Sequence, residues 1–211
     1  MEKDYKYLVY FFVILIPLSL LGFYKTYFSL IPNFSKDINF WHHIHTIVAS
    51  LWILLLIIQP ILIQNRKFAI HRAFGRFSFY LFPVLIFSFF PLILSIIQRG
   101  ELKRVLLPVS AMALLIIFYF LAIRNRKFPA KHMRYMIALA IVFIDPTVGR
   151  IVALLFGGSA IVASTVSFTI IDTILLSLIL LDRAKNLDYK PYVVALLGFL
   201  IYEVSFYVIF L

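Results

Sequence analysis

The sequence predicts an all-α membrane protein, a polytopic bundle of seven transmembrane helices. Of its 211 residues, 64% are hydrophobic and 14% are charged, whereas a soluble domain has roughly 45–50% apolar and about 25% charged residues. The apolar residues fall into seven runs, and each run is long enough to cross a bilayer as a helix. These observations exclude a soluble enzyme and a nucleic-acid-binding protein, and they make the lipid bilayer the expected environment.

The seven predicted spans follow one another in a single transmembrane domain covering residues 1–211. Membrane strands alternate in polarity, whereas these runs are apolar on all faces, so helices are predicted throughout. No small-residue cleavage site follows the first run, and we expect that run to be retained. The predicted spans are Tyr7–Phe23, Ile44–Ile63, Phe77–Ile97, Val105–Ile123, Tyr135–Phe156, Ile161–Leu181 and Tyr192–Leu211.

Basic residues set the predicted orientation. The net charge is +11, and in a membrane protein such an excess marks the cytoplasmic loops. With a cytoplasmic N-terminus, the inner segments hold 14 Lys and Arg and the outer segments hold 5. The sequence therefore predicts an inner N-terminus, an outer C-terminus and a multi-pass protein of a bacterial-type cytoplasmic (inner) membrane.

An internal repeat indicates how the helices are grouped. The tetrapeptide Asn65-Arg66-Lys67-Phe68 recurs as Asn125-Arg126-Lys127-Phe128, and a histidine follows each copy. Each copy joins the end of one span to the start of the next. The predicted architecture is therefore one leading helix followed by three antiparallel hairpins, related as a parallel repeat.

Histidines are the first candidate site residues. His71 and His132 occupy similar places in the two repeats, and a b-type haem needs two such imidazole ligands. Basic neighbours place both rings at headgroup level, where a histidine can also serve as an interfacial hydrogen-bonding side chain. His45 is a further candidate for a haem or a metal ion on the outer side. The sequence leaves both interpretations open.

Charged residues inside the spans are the second candidate set, because a charge at the bilayer centre costs at least about 2.5–3.5 kcal/mol on insertion scales. They are Asp145, Arg150, Asp172 and Glu203, all on the last three predicted spans. Such residues usually face the bundle interior. They predict an intramembrane polar network, serving either as a structural element or as a proton, ion or ligand site.

Two expectations concern the fifth predicted span. Pro146 removes a helix hydrogen bond, and Gly149 permits close approach of another helix, so the segment around Asp145 is predicted to be broken or kinked. Arg150 and Glu203 fall at similar depths. The sequence therefore predicts an Arg150–Glu203 contact between the fifth and seventh spans.

The chain resembles a family of uncharacterised bacterial multi-pass membrane proteins. The resemblance rests on an early-helix histidine, a late Gln-Pro and an H-R-x-x-G-R turn, which here are His45, Gln59-Pro60 and His71-Arg72-Ala73-Phe74-Gly75-Arg76. It implies no established activity. A weaker resemblance is to b-type transmembrane cytochromes, which use histidines on four consecutive helices. Because Val105–Ile123 has none, this resemblance implies at most one haem, held by His71 and His132.

Three functions remain open from the sequence. The first is a redox membrane protein that binds one b-type haem or a metal ion. The second is a proton- or ion-coupled small-molecule transporter that uses the intramembrane carboxylates, and the third is a non-catalytic membrane assembly factor. No nucleophile–base motif is visible, so catalytic residues are not assigned and enzymatic activity is left open. The small-molecule ligand and the oligomeric state are also left open.

Overall fold

A computed structural model describes residues 7–34, 38–157 and 159–211. Lys3, Lys6 and Lys36, which contribute to the orientation argument, lie outside these residues. Short 3₁₀ turns occur at Phe28–Leu30 and Leu102–Val105, and the described ranges contain no strand. The α-helices are α1 (Leu8–Val13), α2 (Leu15–Gly22), α3 (Phe40–Gln64), α4 (Phe68–Phe87), α5 (Phe89–Gln98), α6 (Leu106–Arg124), α7 (Pro129–Ile141), α8 (Ile144–Phe156), α9 (Ala160–Ala184) and α10 (Lys190–Phe210).

Six helical segments of the described chain are long and apolar enough to cross a membrane. The predicted polytopic helical fold is confirmed, and the leading predicted span is a shorter apolar segment, Leu8–Gly22. The six long segments are Phe40–Gln64, Phe68–Gln98, Leu102–Arg124, Pro129–Phe156, Ala160–Ala184 and Lys190–Phe210.

The outward faces of these helices are apolar. Val208 is 79% exposed, and Phe87 and Leu155 are each 68% exposed. Soluble monomers rarely leave large contiguous apolar patches open to water, whereas lipid solvates them. The chain is therefore an integral membrane protein.

Three helix interruptions have the same covalent cause. α1 ends at Val13, α4 ends at Phe87, and α7 ends just before Val142. Each of these positions lies four residues before a proline, namely Pro17, Pro91 and Pro146. A proline cannot donate to the carbonyl four residues earlier, and its ring crowds that carbonyl. Pro60 and Pro83 stay inside α3 and α4, so a proline permits a break without requiring one.

Two helices begin before the spans predicted from the sequence. α4 begins at Phe68 and α7 at Pro129, whereas the corresponding predicted spans start at residues 77 and 135. Both helices extend through their basic segments, because long Lys and Arg side chains can reach water from the first turns of a helix. His71 and His132 therefore lie within helices.

The repeated tetrapeptide has one local structural role in both copies. The Asn65 side-chain amide donates to the Ile61 carbonyl, and the Asn125 amide donates to the Leu121 carbonyl, each at 2.8 Å. These carbonyls belong to the last turn of α3 and α6, and each also accepts the backbone N–H of the same asparagine. Each asparagine thus helps to end the first helix of its hairpin.

The chain forms two compact units, each described by itself. The first unit ends at Pro108 and the second begins at Val109, except that Leu21–Phe23 pack with the second. In the first unit α3 contacts α1, α4 and α5. In the second unit α9 packs between α8 and α10, and α10 also contacts α7.

Glycines allow close approach to α8 within the second unit. A Cβ atom on Gly22 would lie 2.7 Å from the Thr147 carbonyl oxygen, so only glycine fits there without a backbone shift. A Cβ atom on Gly149 would lie 3.5 Å from Ser167 Oγ on α9. The expected approach of a helix at Gly149 is thus made by α9, which positions the polar side chains described next.

Candidate functional site

The four intramembrane charges all lie in the second unit, and they divide into two groups. Asp172 on α9 and Glu203 on α10 are hydrogen-bonded to each other through their side chains. Asp145 and Arg150 both lie on α8. We call Asp172 and Glu203 the carboxyl pair. Asp145 with its hydrogen-bond partners Tyr202 and Ser167 is the Asp145 cluster.

The carboxyl pair lies deep within its helices. Asp172 is the central residue of α9, which has 25 residues, so it lies about 18 Å from either helix end at 1.5 Å per residue. Both side chains are half-buried. An ionised carboxylate only accepts hydrogen bonds, and a carboxyl group donates only when protonated. A hydrogen bond between these two groups therefore requires at least one proton on the pair.

Hydroxyl groups lie beside the carboxyl pair on the same two helices. Thr165 Oγ1 on α9 and Tyr207 Oη on α10 are 2.7 Å apart. Thr165 precedes Asp172 by two helical turns, and Tyr207 follows Glu203 by one turn, so both are displaced toward the same, predicted outer, end. The α9–α10 seam therefore carries two polar contacts, separated along the helices by one to two turns.

The Asp145 cluster satisfies a carboxylate through neighbouring helices. Tyr202 Oη on α10 donates to Asp145 Oδ2 at 2.8 Å, and Ser167 on α9 also hydrogen-bonds to Asp145. Tyr202 is 4% exposed and Ser167 is fully buried. The break between α7 and α8 places Asp145 in the first turn of α8, where the helix dipole favours an acidic side chain.

The predicted Arg150–Glu203 contact is wrong. Arg150 Nη1 donates to the Pro146 carbonyl at 2.6 Å, and the guanidinium carbon lies 4.3 Å from the centre of the Phe23 ring. The acidic group that interacts electrostatically with Arg150 is Asp145, while Glu203 pairs with Asp172. Arg150 is exposed on the surface.

Four histidines use Nδ1 in local contacts. His132 Nδ1 donates to the Ala122 carbonyl at 2.8 Å, at the end of α6. His45 Nδ1 lies 2.8 Å from Ser88 Oγ. His43 Nδ1 lies 2.7 Å from Tyr27 Oη, and His42 Nδ1 lies 2.9 Å from Asn39 Oδ1. Each of these four histidines thus takes part in a local hydrogen bond.

His45, Trp52 and Gln59 lie on one face of α3, because seven residues are nearly two full helical turns. The Trp52 ring lies 5.2 Å from that of Phe82 on α4, and Gln59 Nε2 lies 3.9 Å from where a Cβ of Gly75 would be. His71 lies one turn before Gly75 on α4. His45, Trp52 and Gln59 thus lie on the side of α3 that packs against α4 in the first unit.

Candidate metal ligands do not gather in the described part of the chain, where no group of three or more His, Asp or Glu side chains could hold a metal ion. A bis-histidine haem requires only two protein ligands. His71 belongs to the first unit and His132 to the second, and their pairing stays a prediction.

Sequence reasoning missed a buried ion pair. Arg134 Nε on α7 donates to Asp182 Oδ2 on α9 at 2.6 Å, and the side chains are 0% and 3% exposed. Arg134 was counted among the basic residues of an inner segment, because it directly precedes an apolar run. One signal was available in the sequence. Asp182 directly follows an apolar run, so it places an acidic side chain at the end of the sixth predicted span.

Comparison with protein families, with curated proteins and with solved structures finds no match for this chain.

Proposed function

We propose that the protein is a proton-coupled membrane transporter of a small molecule, and that the carboxyl pair is its proton-binding site. The feature that carries the proposal is the pairing of two acidic side chains at mid-membrane depth, Asp172 on α9 and Glu203 on α10, which interact with each other. The pair needs a proton, because two ionised carboxylates have no donor between them. Intramembrane carboxyl groups of this kind are used as proton relays in pumps and transporters.

Hydroxyl groups on the same two helices support proton binding by the pair. The Thr165–Tyr207 hydroxyl contact lies one to two helical turns from the pair, toward the predicted outer end, and hydroxyl groups both donate and accept hydrogen bonds. In this proposal these hydroxyls assist proton movement between the pair and that end of the α9–α10 seam.

Neighbouring groups couple the proton site to helix packing. Tyr202 and Glu203 are adjacent on α10, and they contact Asp145 on α8 and Asp172 on α9 respectively. A change in the hydrogen bond at Glu203 therefore affects its neighbour Tyr202, which is the residue that contacts Asp145. The α7–α8 break supplies irregular backbone near Asp145, which is where transporters commonly bind their ligands.

Charge movement after a pH jump tests the proposal without knowledge of the transported molecule. With protein in liposomes on a solid-supported membrane, we expect a transient current, because protons enter sites within the membrane field. Glu203→Gln and Asp172→Asn should each abolish it. Glu101→Gln and Asp188→Asn are matched controls outside the spans and should leave it unchanged. Equal currents in wild type and both pair variants would contradict the proposal.

A second candidate, a redox protein with one b-type haem, is favoured by one observation. His132 donates Nδ1–H to the Ala122 carbonyl, and ligating histidines usually hold their second ring nitrogen in this way. This tautomer leaves Nε2 unprotonated, as metal ligation requires. In this hypothesis His71 and His132 would hold the haem, which would supply one-electron chemistry.

An absorption spectrum tests the haem hypothesis. Protein purified from haem-replete cells should show a Soret band, and His71→Ala and His132→Ala should each remove it, because bis-imidazole ligation needs both rings. His42→Ala, which alters a contact with Asn39 only, should leave the band unchanged. A colourless, metal-free preparation would rule the hypothesis out.

A further inference from the structure

A surface cavity of about 370 Å³ opens at the end of α6 in the second unit. Phe120, Ile123, Arg124, Arg126 and Lys127 line it. Phe120 is 60% exposed, and the three basic residues are exposed as well. The cavity therefore combines three cations with an apolar wall.

Within the part of the chain that the structure describes, the three cations have no acidic partner. Across the described residues, no carboxylate forms an ion pair with Arg124, Arg126 or Lys127. The last carbonyls of α6 are also occupied, because Leu121 accepts from Asn125 and Ala122 accepts from His132. The guanidinium and ammonium groups are thus available to an external anion.

We propose that this cavity binds the headgroup of an anionic phospholipid. Arginine donors match the geometry of a phosphate, and basic pockets at the cytoplasmic ends of membrane helices bind such headgroups. The wall formed by Phe120 and Ile123 accommodates the start of an acyl chain, which a free phosphate ion lacks. The predicted orientation places this end of α6 at the inner leaflet.

The first copy of the repeat provides an internal comparison. Arg66 and Lys67 match Arg126 and Lys127, but Gln64 stands in place of Arg124 and Pro60 in place of Phe120. The first loop therefore lacks one cation and the aromatic wall. If loop charge alone held lipid, the two copies would bind similarly.

Native mass spectrometry of the purified full chain tests the site, with phosphatidylglycerol and phosphatidylcholine of identical acyl chains as probes. We expect preference for phosphatidylglycerol, reduced about tenfold or more by the combined change Arg124→Gln, Arg126→Gln and Lys127→Gln. The matched control, Arg66→Gln, Lys67→Gln and Arg72→Gln, removes three exposed charges and should change binding less than about twofold. Phe120→Ala, which keeps every charge, should also weaken lipid binding.

Two outcomes would overturn the proposal. Equal weakening by the two triple variants would mean that overall loop charge, and not this cavity, attracts the lipid. Displacement of phosphatidylglycerol by an equal concentration of inorganic phosphate would mean that the site binds the phosphate group from solution and that the apolar wall contributes nothing.

Discussion

Arg134→Met is expected to lower the free energy of unfolding by about 3–5 kcal/mol, because it leaves the buried Asp182 carboxylate without its charged partner. Arg134 is 0% exposed and its Nε lies 2.6 Å from Asp182 Oδ2. The pair joins the start of α7 to the end of α9. Denaturant unfolding of the protein in mixed micelles, followed by circular dichroism, measures the loss.

Lys131→Met is the matched control for this loss. Lys131 also lies at the start of α7. Its partner is Asp188 in the α9–α10 loop, with Nζ 3.6 Å from Oδ2, and these side chains are 46% and 31% exposed. An exposed pair contributes about 0–1 kcal/mol. Combining Arg134→Met with Asp182→Leu should recover much of the stability, because no charge is then stranded. Equal losses in the two methionine variants would show that burial does not matter here.

Tyr202→Phe is expected to cost about 1.5–3 kcal/mol, the usual range for a hydrogen bond to a charged group. The change removes the Oη atom that donates to Asp145 Oδ2 at 2.8 Å, and it leaves the ring where it packs against Phe168 at 5.1 Å. The same unfolding measurement in micelles reports the loss.

Tyr207→Phe is the control for the Tyr202 change, since both tyrosines lie on α10 and both rings contact Phe168. It removes a bond between two neutral hydroxyls, Tyr207 Oη and Thr165 Oγ1, and a neutral bond contributes about 0.5–1.5 kcal/mol. A smaller loss for Tyr202→Phe than for Tyr207→Phe would mean that Asp145 does not depend on the Tyr202 hydroxyl.

Composition and apolar run length were enough to predict the helical membrane fold, because a bilayer imposes a minimum span length on any crossing helix. The ends of helices were less predictable. Basic side chains let α4 and α7 extend beyond the apolar runs, so the hydropathy of residues 68–76 and 129–134 underestimates their helical extent.

The depth of a residue along its span was predictable from the sequence, but the direction in which its side chain points was not. The comparison of Arg150 with Glu203 used position along the membrane normal alone. Their contact also needs α8 and α10 to turn these residues toward each other, and that depends on which helices pack together. Glu203 interacts with Asp172 on α9 instead, while its neighbour Tyr202 is the α10 residue that reaches α8.

The sequence did not identify the uncharged polar residues of the candidate site. Tyr202 and Ser167 complete the Asp145 cluster, yet each also resembles an ordinary interfacial or packing residue in the sequence. Only helix contacts reveal that both reach one carboxylate. The Arg134–Asp182 pair was missed for a related reason, because a charge at the end of a span is usually expected to reach water.

A proton shared by Asp172 and Glu203 is tested most directly by infrared spectroscopy of the protein in lipid, since protonated carboxyl and carboxylate groups absorb at separate frequencies. We expect a protonated-carboxyl band in the wild type that the double variant Asp172→Asn/Glu203→Gln lacks. The matched double variant Asp188→Asn/Glu101→Gln should retain it. An unchanged band in the Asp172/Glu203 variant would contradict proton binding by the pair.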